Sequence, residues 1–284
     1  MTKKLVKLSS HALSAYQKCP KSFYYSTMRR IEPRRYNKAF DRGAIFGKML
    51  ERYYESKLVS GYDKMFPFQL IEEHVEKSEL SPEDKRLLSR VLLQYLAHYR
   101  KEEWLPVATE LPFSVILYED DKYIFVYEGT IDLLIQNPLN LEGYANVDHK
   151  TYSMASQIYP YNNQAIGYCY VMKTDMFIYN YIGLTETKKP ADNFQRDVKR
   201  FKKQDFESWL ATTLKWFKRI ADDEDYDKSY QCTAKYGTCS YHELCESPFA
   251  SMREHLITTK FQHNSYASWG KEASNEKFVQ IGSI

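Results

Sequence analysis

In the stretch GTIDLLIQNPLNLEGYANVDHKTY, residues 129–152, Asp132 lies in one apolar run and Asp148 and Lys150 in the next, around Asn137, Pro138, Asn140 and Gly143. Two apolar runs about such a loop predict an antiparallel hairpin, and centring the loop near Asn140 sets Asp132 opposite Asp148. Side chains directly opposite have Cβ atoms only ~4.5–5.5 Å apart, where like charges destabilise the pair. A cation between them reverses that sign. Side chains alternate faces along a strand, so Lys150 shares the face of Asp148, while Val147 and His149 turn toward Ile131 and Leu133. Hard carboxylate oxygens suit Mg²⁺ or Mn²⁺, which can activate a water and neutralise charge building on a phosphate. A lone D…DxK is also what a surface salt bridge looks like. The shared face, the apolar surroundings and the companion Lys150 are what raise it above that.

Glu110 opens an earlier strand, where it is either a third carboxylate near the same edge or a strand end in solvent. Gln164 and Tyr168, four apart in YNNQAIGYCY, share a helix face. A second constellation is Cys232, Cys239 and Cys245 in a short loop-rich stretch. It needs a fourth ligand, and two are available. Cys19, followed by Pro20, makes a four-thiolate set suited to an iron-sulfur cluster, whereas His242 makes a local Cys3His zinc site. Cys169, in a predicted helix, reads as a small buried hydrophobe.

The elements that must position these residues follow from the apolar period. Helical spacing covers SSHALSAYQKCPKSFYY, DRGAIFGKMLERYYESKL and SPEDKRLLSRVLLQYLAHY. In the last, Ser81 is the cap, Pro82 the first helical residue, and Asp84 takes the capping-box place. From about Thr109 the period changes to strands, with Asp120-Asp121 at a turn. There follow a helix around YNNQAIGYCYVM, strands at MFIYNYIGL and FQRDVKRF, and an amphipathic helix with Phe206, Leu210, Leu214 and Phe217 in its stripe. Beyond Pro248 the pattern fades into a polar segment that reads as an extended arm or as partly disordered.

Of the 284 residues 43% are hydrophobic and 27% charged, enough apolar material for a sizeable core in a globular chain. A net charge of +3 does not by itself argue for nucleic acid, but MRRIEPRRYNK (28–38) and RDVKRFKK (196–203) concentrate cations. The 25 tyrosines and 15 phenylalanines would suit base stacking as well as a core. There is no secretory signal and no apolar run approaching the ~20 residues of a membrane span, so the expectation is an intracellular, cytoplasmic protein. Five cysteines there point to metal rather than disulfides.

Together these motifs resemble the PD-(D/E)XK nuclease superfamily, in the RecB-like branch that includes AddB, the CRISPR-associated iron-sulfur exonucleases and phage exonucleases. The likeness runs from Ser9 to about Cys245. LSSHALSAYQKCPKSFYY resembles the opening motif of the branch, GTIDLL and VDHKT the two catalytic motifs, and Gln164 with Tyr168 its QxxxY motif. Cys19 with Cys232, Cys239 and Cys245 resembles its cluster ligands. The chain departs from the pattern at Gly47 in RGAIFGKMLE, where the family usually carries a His that is commonly a metal ligand. Glu51, a helical turn later, matches the acidic position of that motif. The departure leaves open weaker or different metal binding, water as ligand, or reduced activity.

The resemblance implies an α/β restriction-endonuclease-like core, a central mixed sheet flanked by helices. The helical part is expected over 1–104, the catalytic core over 105–223, a cysteine-rich segment joined to Cys19 over 224–250, and a tail over 251–284. It implies an exonuclease that hydrolyses DNA from its ends in recombination, repair or phage DNA processing. Asp132, Asp148 and the backbone carbonyl of His149 would hold Mg²⁺ or Mn²⁺, Glu110 assisting. Lys150 would act on water or phosphate, with Gln164 and Tyr168 supporting Lys150 or DNA, and a 4Fe-4S cluster would sit on the four cysteines. The implied partners are DNA with free ends or single strands and a helicase or recombination protein, with no membrane. The rival readings are a nuclease-fold binding or assembly module of reduced activity, and an endonuclease or RNase of the same fold.

Overall fold

In α5 (Pro82–His98), Ser81 Oγ accepts from the Asp84 N–H at 3.3 Å, and Leu88, Val91, Leu92 and Tyr95 are fully buried along one stripe. The helix thus starts at its cap and faces as its spacing dictates. Asp84, expected to reach back to the cap, instead forms a buried ion pair with Arg42 of α3 (Lys38–Val59), which ties the two helices together. The computed structural model describes residues 3–34, 38–59, 66–140, 143–152, 163–185, 192–229, 232–234 and 237–263. The chain divides into two compact units.

One unit comprises Asn37–Pro112 and Thr130–Phe206. Between α3 and α5 it has a short helix, α4 (Phe66–Leu70), continued by a π-helical turn, Ile71–Glu76. Its sheet contains the later part of β4 (Tyr123–Gln136), then β5 (Tyr144–Tyr152), β6 (Met176–Gly183) and β7 (Phe194–Arg200). β4 and β5 are antiparallel, β5 and β6 parallel, β6 and β7 antiparallel. The parallel pair is joined through α6 (Asn163–Met172), the crossover a parallel connection requires. Every residue of β6 is buried, as befits a strand covered on both faces. On one face Leu133, Ile135, Ala145, Val147 and Ile178 pack in one core with α3 and α5. This is an α/β architecture with a mixed sheet flanked by helices, as expected.

The other unit comprises Met1–Tyr36, Phe113–Gly129 and Glu207–Ile284. Here β1 (Lys4–Ser9) runs parallel to the first part of β4, from Lys4↔Tyr123 to Ser9↔Glu128. Asp120 Oδ1 accepts from the N–H groups of Lys122 and Tyr123 (2.8 and 2.7 Å), closing the turn from β3 (Pro106–Glu119) into β4. Ser9 caps α1 (Ser10–Lys18), and α2 (Pro20–Phe23) follows Cys19. α7 (Lys203–Asp222) buries Trp209, Thr213, Phe217 and Ile220. Of the expected stripe Phe217 is buried, but Phe206, Leu210 and Leu214 are only half-buried, and Trp209, whose ring packs edge-on to Tyr127 at 5.4 Å, is buried beside Phe217 instead.

Part of the segment expected to be an extended or partly disordered arm is regular structure, while its residues 264–284 lie outside the described residues. α9 (Ala250–Lys260) leads into β10 (Phe261–His263), which pairs antiparallel with β2 (Ile31–Pro33). Phe261 and Tyr241 stack at 5.6 Å and pack with Tyr25, Ile31 and Leu244, so a few apolar residues suffice to hold the segment. Two short elements precede it, the β8 (Thr233–Ala234)–β9 (Gly237–Thr238) ladder and α8 (His242–Glu246).

The two glycines of RGAIFGKMLE play opposite parts in α3. A Cβ on Gly43 would lie 2.8 Å from Thr151 Oγ1 of β5, closer than Cβ contacts tolerate, so glycine there lets helix and strand approach. Nothing lies within 4 Å of a Cβ on Gly47. Gly47→Ala should stabilise the protein by about 0.5–1 kcal/mol through helix propensity, and Gly43→Ala should destabilise it by about 1 kcal/mol or more through overpacking. Urea denaturation of both variants checks the pair, and equal and same-signed effects would contradict this packing.

Candidate active site

The hairpin register is Leu133↔Val147, Leu134↔Asn146, Ile135↔Ala145 and Gln136↔Tyr144. One step further sets Asp132 against Asp148, and the His149 N–H donates to Asp132 Oδ2 at 2.8 Å. Loop hydrogen bonds fix this register: Asn137 N–H to the Gly143 carbonyl (2.8 Å), Gly143 N–H to the Asn140 carbonyl (3.0 Å), and Leu139 N–H to Asn137 Oδ1 (2.9 Å).

On the Asp face, Lys150 Nζ donates to Asp148 Oδ1 at 3.0 Å and lies 2.8 Å from Oδ2. Gln164, in the first turn of α6, spans the same pair. Its Nε2 donates to Asp148 Oδ1 at 2.9 Å, and its Oε1 accepts from Lys150 at 3.4 Å. Tyr168, one helical turn on, is buried and hydrogen-bonded to Gln164. The structure therefore brings Asp132, Asp148, Lys150, Gln164 and Tyr168 to one place. Glu110 acts electrostatically on Asp132 and has φ 44°, a left-handed backbone that redirects β3 there. It is an exposed residue, but desolvation and the Glu51 carboxylate push its pKa up. Glu51 is thus a neighbour of Glu110, which the sequence did not indicate.

Burial, then the Asp148 carboxylate, push Asp132 up to about 7, against the His149 N–H and the Lys150 ammonium. Burial opposes the charge of Lys150, yet Asp148 outweighs it and holds the pKa above the usual lysine value. Asp148 Oδ2 is buried and meets the Lys150 ammonium as an ion pair, without a well-directed hydrogen bond. Crowded, buried carboxylates are the donor chemistry of a hard cation. Among the described residues, however, no three His, Cys, Asp or Glu side chains are grouped to hold a metal ion.

The cations of the two basic stretches are largely committed to partners within the protein. Arg196 forms a buried ion pair with Glu102, Lys199 pairs with Asp197 at 2.9 Å, and Arg200 with Asp175 at 3.1 Å. In the other basic stretch Arg29 pairs with Glu254 at 3.3 Å and Arg34 Nε donates to the Phe261 carbonyl at 2.5 Å, while residues 35–37 lie outside the described residues. No helix among the described residues is long and apolar enough to cross a membrane.

Cys19, Cys232, Cys239 and Cys245 lie in the other unit, and none of the five cysteines is in a disulfide. The Cys239 N–H donates to the Cys232 carbonyl at 2.8 Å, and Cys232 Sγ lies 3.4 Å from the Ser229 carbonyl, beside Cys19. Burial pushes Cys245 up to about 11; Cys239, Cys19 and Cys232 add to that and Lys228 opposes it. All four thiols are thus electrostatic neighbours. Cys169 is buried against Asn146 (3.4 Å), as expected of a structural thiol.

A mixed sheet thus presents paired aspartates and a lysine on one hairpin, with a glutamine of α6 beside them. A family model of the PD-(D/E)XK nuclease superfamily matches residues 7–246, and the chain belongs to that superfamily. No curated protein sequence matches it. Two solved structures are similar to it. One, named SSO0001, is 13% identical with a TM-score of 0.41, covering 87% of this chain and 88% of its own. The other, named "Putative exonuclease" and from Eubacterium rectale, is 12% identical with a TM-score of 0.47, covering 87% and 91%.

A carboxyl whose folded pKa is raised is least unfavourable when protonated, so the conflict at Asp132 is absent below the ordinary aspartate range and grows until the pH passes about 7. Metal-free Asp132→Asn should therefore be more stable than the wild type at pH 8, by at least about 1 kcal/mol, with little difference near pH 4. Mn²⁺ should raise the wild-type Tm at pH 8 and do less for the variant. A variant less stable than wild type at both pH values would show that the carboxylates are not in conflict.

Proposed function

We propose that the protein is a metal-dependent DNA exonuclease of the RecB-like branch, hydrolysing phosphodiesters from DNA ends in recombination, repair or phage DNA processing. The observation that carries the reading is Asp148 bound at once by Lys150 and Gln164 while facing Asp132 across the hairpin. Asp132, Asp148 and the His149 carbonyl would hold Mg²⁺ or Mn²⁺, with Glu110 assisting through water. When bound, such a cation supplies Lewis acidity and offsets negative charge on carboxylates and phosphate. Lys150 stays protonated, and Asp148 and Gln164 fix its ammonium, leaving a donor to orient water or meet charge developing on a phosphate oxygen. Gln164 makes both contacts through one amide, and Tyr168 holds that amide. The QxxxY resemblance favours DNA with free ends or single strands, supplied by a helicase or recombination partner.

Cleavage of end-labelled linear single- and double-stranded DNA against a covalently closed circle, with Mn²⁺, Mg²⁺ or EDTA, tests the reading. Linear DNA should shorten only with metal while the circle survives, and Lys150→Ala should lower the rate by ~10²-fold or more, the scale for losing one charge-stabilising donor. A cut circle would make it an endonuclease. Binding without cleavage would favour the module of reduced activity, for which Gly47, in place of the usual His, is the specific reason. Undiminished metal-dependent cleavage by Lys150→Ala would refute this site.

Cys19, Cys232, Cys239 and Cys245 would hold a 4Fe-4S cluster. What supports this donor set is that Cys239, Cys19 and Cys232 all act electrostatically on Cys245; a zinc site completed by His242 is the alternative. The cluster is read as structural, since it would join chain segments far apart in sequence. Anaerobically prepared protein should be brown and contain iron and sulfide, and Cys19→Ala should lose the colour and lower Tm. Colourless protein with stoichiometric zinc would overturn the cluster in favour of zinc.

A further inference from the structure

His149, between Asp148 and Lys150, points its side chain to the other face of the sheet, where a buried polar network surrounds it. Glu102, whose side chain is 1% exposed, pairs with Lys57 at 2.8 Å and with Arg196. The Arg196 guanidinium lies 3.6 Å from the Tyr99 ring and 3.5 Å from the Trp104 ring, and its Nε donates to Asn180 Oδ1 at 3.4 Å. Asn180, fully buried in β6, directs its Nδ2 to Tyr95 Oη (2.8 Å) and to His149 Nδ1 (2.9 Å). The Tyr95 and Tyr54 hydroxyls are 2.8 Å apart, and the Tyr54 ring stacks on the His149 imidazole at 5.6 Å and 10°.

The donors and acceptors fix the direction of this chain. Arg196 has no acceptor, so Asn180 must present its oxygen to Arg196 and its NH₂ to His149, whose Nδ1 therefore accepts. The imidazole is thus held by a hydrogen bond at its edge and by a ring on its face. The main chain of the same residue serves the site: its N–H donates to Asp132 Oδ2, and its carbonyl is the proposed metal donor. Such a network is a weak device for stability alone, because buried ion pairs and amides are replaceable by apolar groups at little loss. It does fix the orientation of the Asn180 amide and hold the imidazole through Nδ1, although the other ring nitrogen, Nε2, is buried with no hydrogen-bond partner among the described residues.

We propose that Asn180, with Arg196 and Glu102 behind it, is a positioning residue for the metal site, holding His149 so that its peptide meets the cation. The inference rests on the metal-dependent reading above. Mn²⁺ binding to the full chain without DNA, followed by the EPR signal of free Mn²⁺, tests it. Asn180→Ala should weaken binding by about tenfold or more, the scale of lost support behind a metal ligand. Leu88→Ala, a truncation in the same core of an apolar side chain that takes part in none of these hydrogen bonds or ion pairs, should lower Tm yet leave Mn²⁺ affinity within about twofold of wild type. Should Asn180→Ala fail to fold, Arg196→Lys serves instead: it keeps the charge facing Glu102 but loses the planar fork and the ring contacts, and should weaken Mn²⁺ binding in the same direction. Affinity unchanged in the network variants, or reduced no more than in Leu88→Ala, overturns the proposal while the metal site stands. A wild-type protein that takes up no Mn²⁺ overturns the metal reading itself and this inference with it.

Discussion

Two aspartates face each other across a hairpin, and the surrounding unit is organised by that repulsion. An antiparallel pair would ordinarily avoid like charges at facing positions. Here each carboxylate is given only partial relief: Asp132 from the His149 N–H and the Lys150 ammonium, Asp148 from Lys150 and Gln164. Burial and the facing Asp148 outweigh that relief and hold the carboxyl of Asp132 above its ordinary range. On the proposed reading, a cation would supply what the protein's own partners leave out.

Holding such a pair requires a scaffold that cannot yield. The opposite face of the hairpin is therefore apolar, with Leu133, Ile135 and Val147 fully or almost fully buried against α3 and α5. Slipping the register by one residue would bring the aspartates into that core and the aliphatic side chains out of it. The close approach of α3 to β5 at Gly43 works to the same end, since it leaves little room for the strand to shift. Apolar packing thus sustains an electrostatic arrangement that is unfavourable in isolation.

The hairpin and its register were legible because the information is local: alternation names the faces, and the Asn137–Gly143 loop sets the pairing. α5 was legible for the same reason, through Ser81, Pro82 and the Leu88–Tyr95 spacing. Features that depend on distant partners were not. Nothing around Asn180 or Arg196 in the sequence reveals that they meet His149 and Glu102, and Arg196 looked like a solvated cation until its carboxylate was placed. β1 is interrupted by lysines, its apolar residues explained only by its pairing with β4. The α7 stripe was right at Phe217 but omitted Trp209, whose ring packs on Tyr127 of the distant β4.

The pairing of β2 with β10 couples the fold to the order in which the chain is made. The unit that contains this ladder is assembled from three separated stretches, and Ile31 finds its partner only at His263. Residues 37–206, by contrast, supply all of the other unit apart from one short excursion at 113–129. Because domains fold as their sequence emerges from the ribosome, the hairpin that bears the aspartates can close while the first thirty or so residues still wait for the final helix and strand. In a nascent chain the carboxylate centre would therefore precede the cysteine region, and assembly at the cysteines would fall to the finished polypeptide.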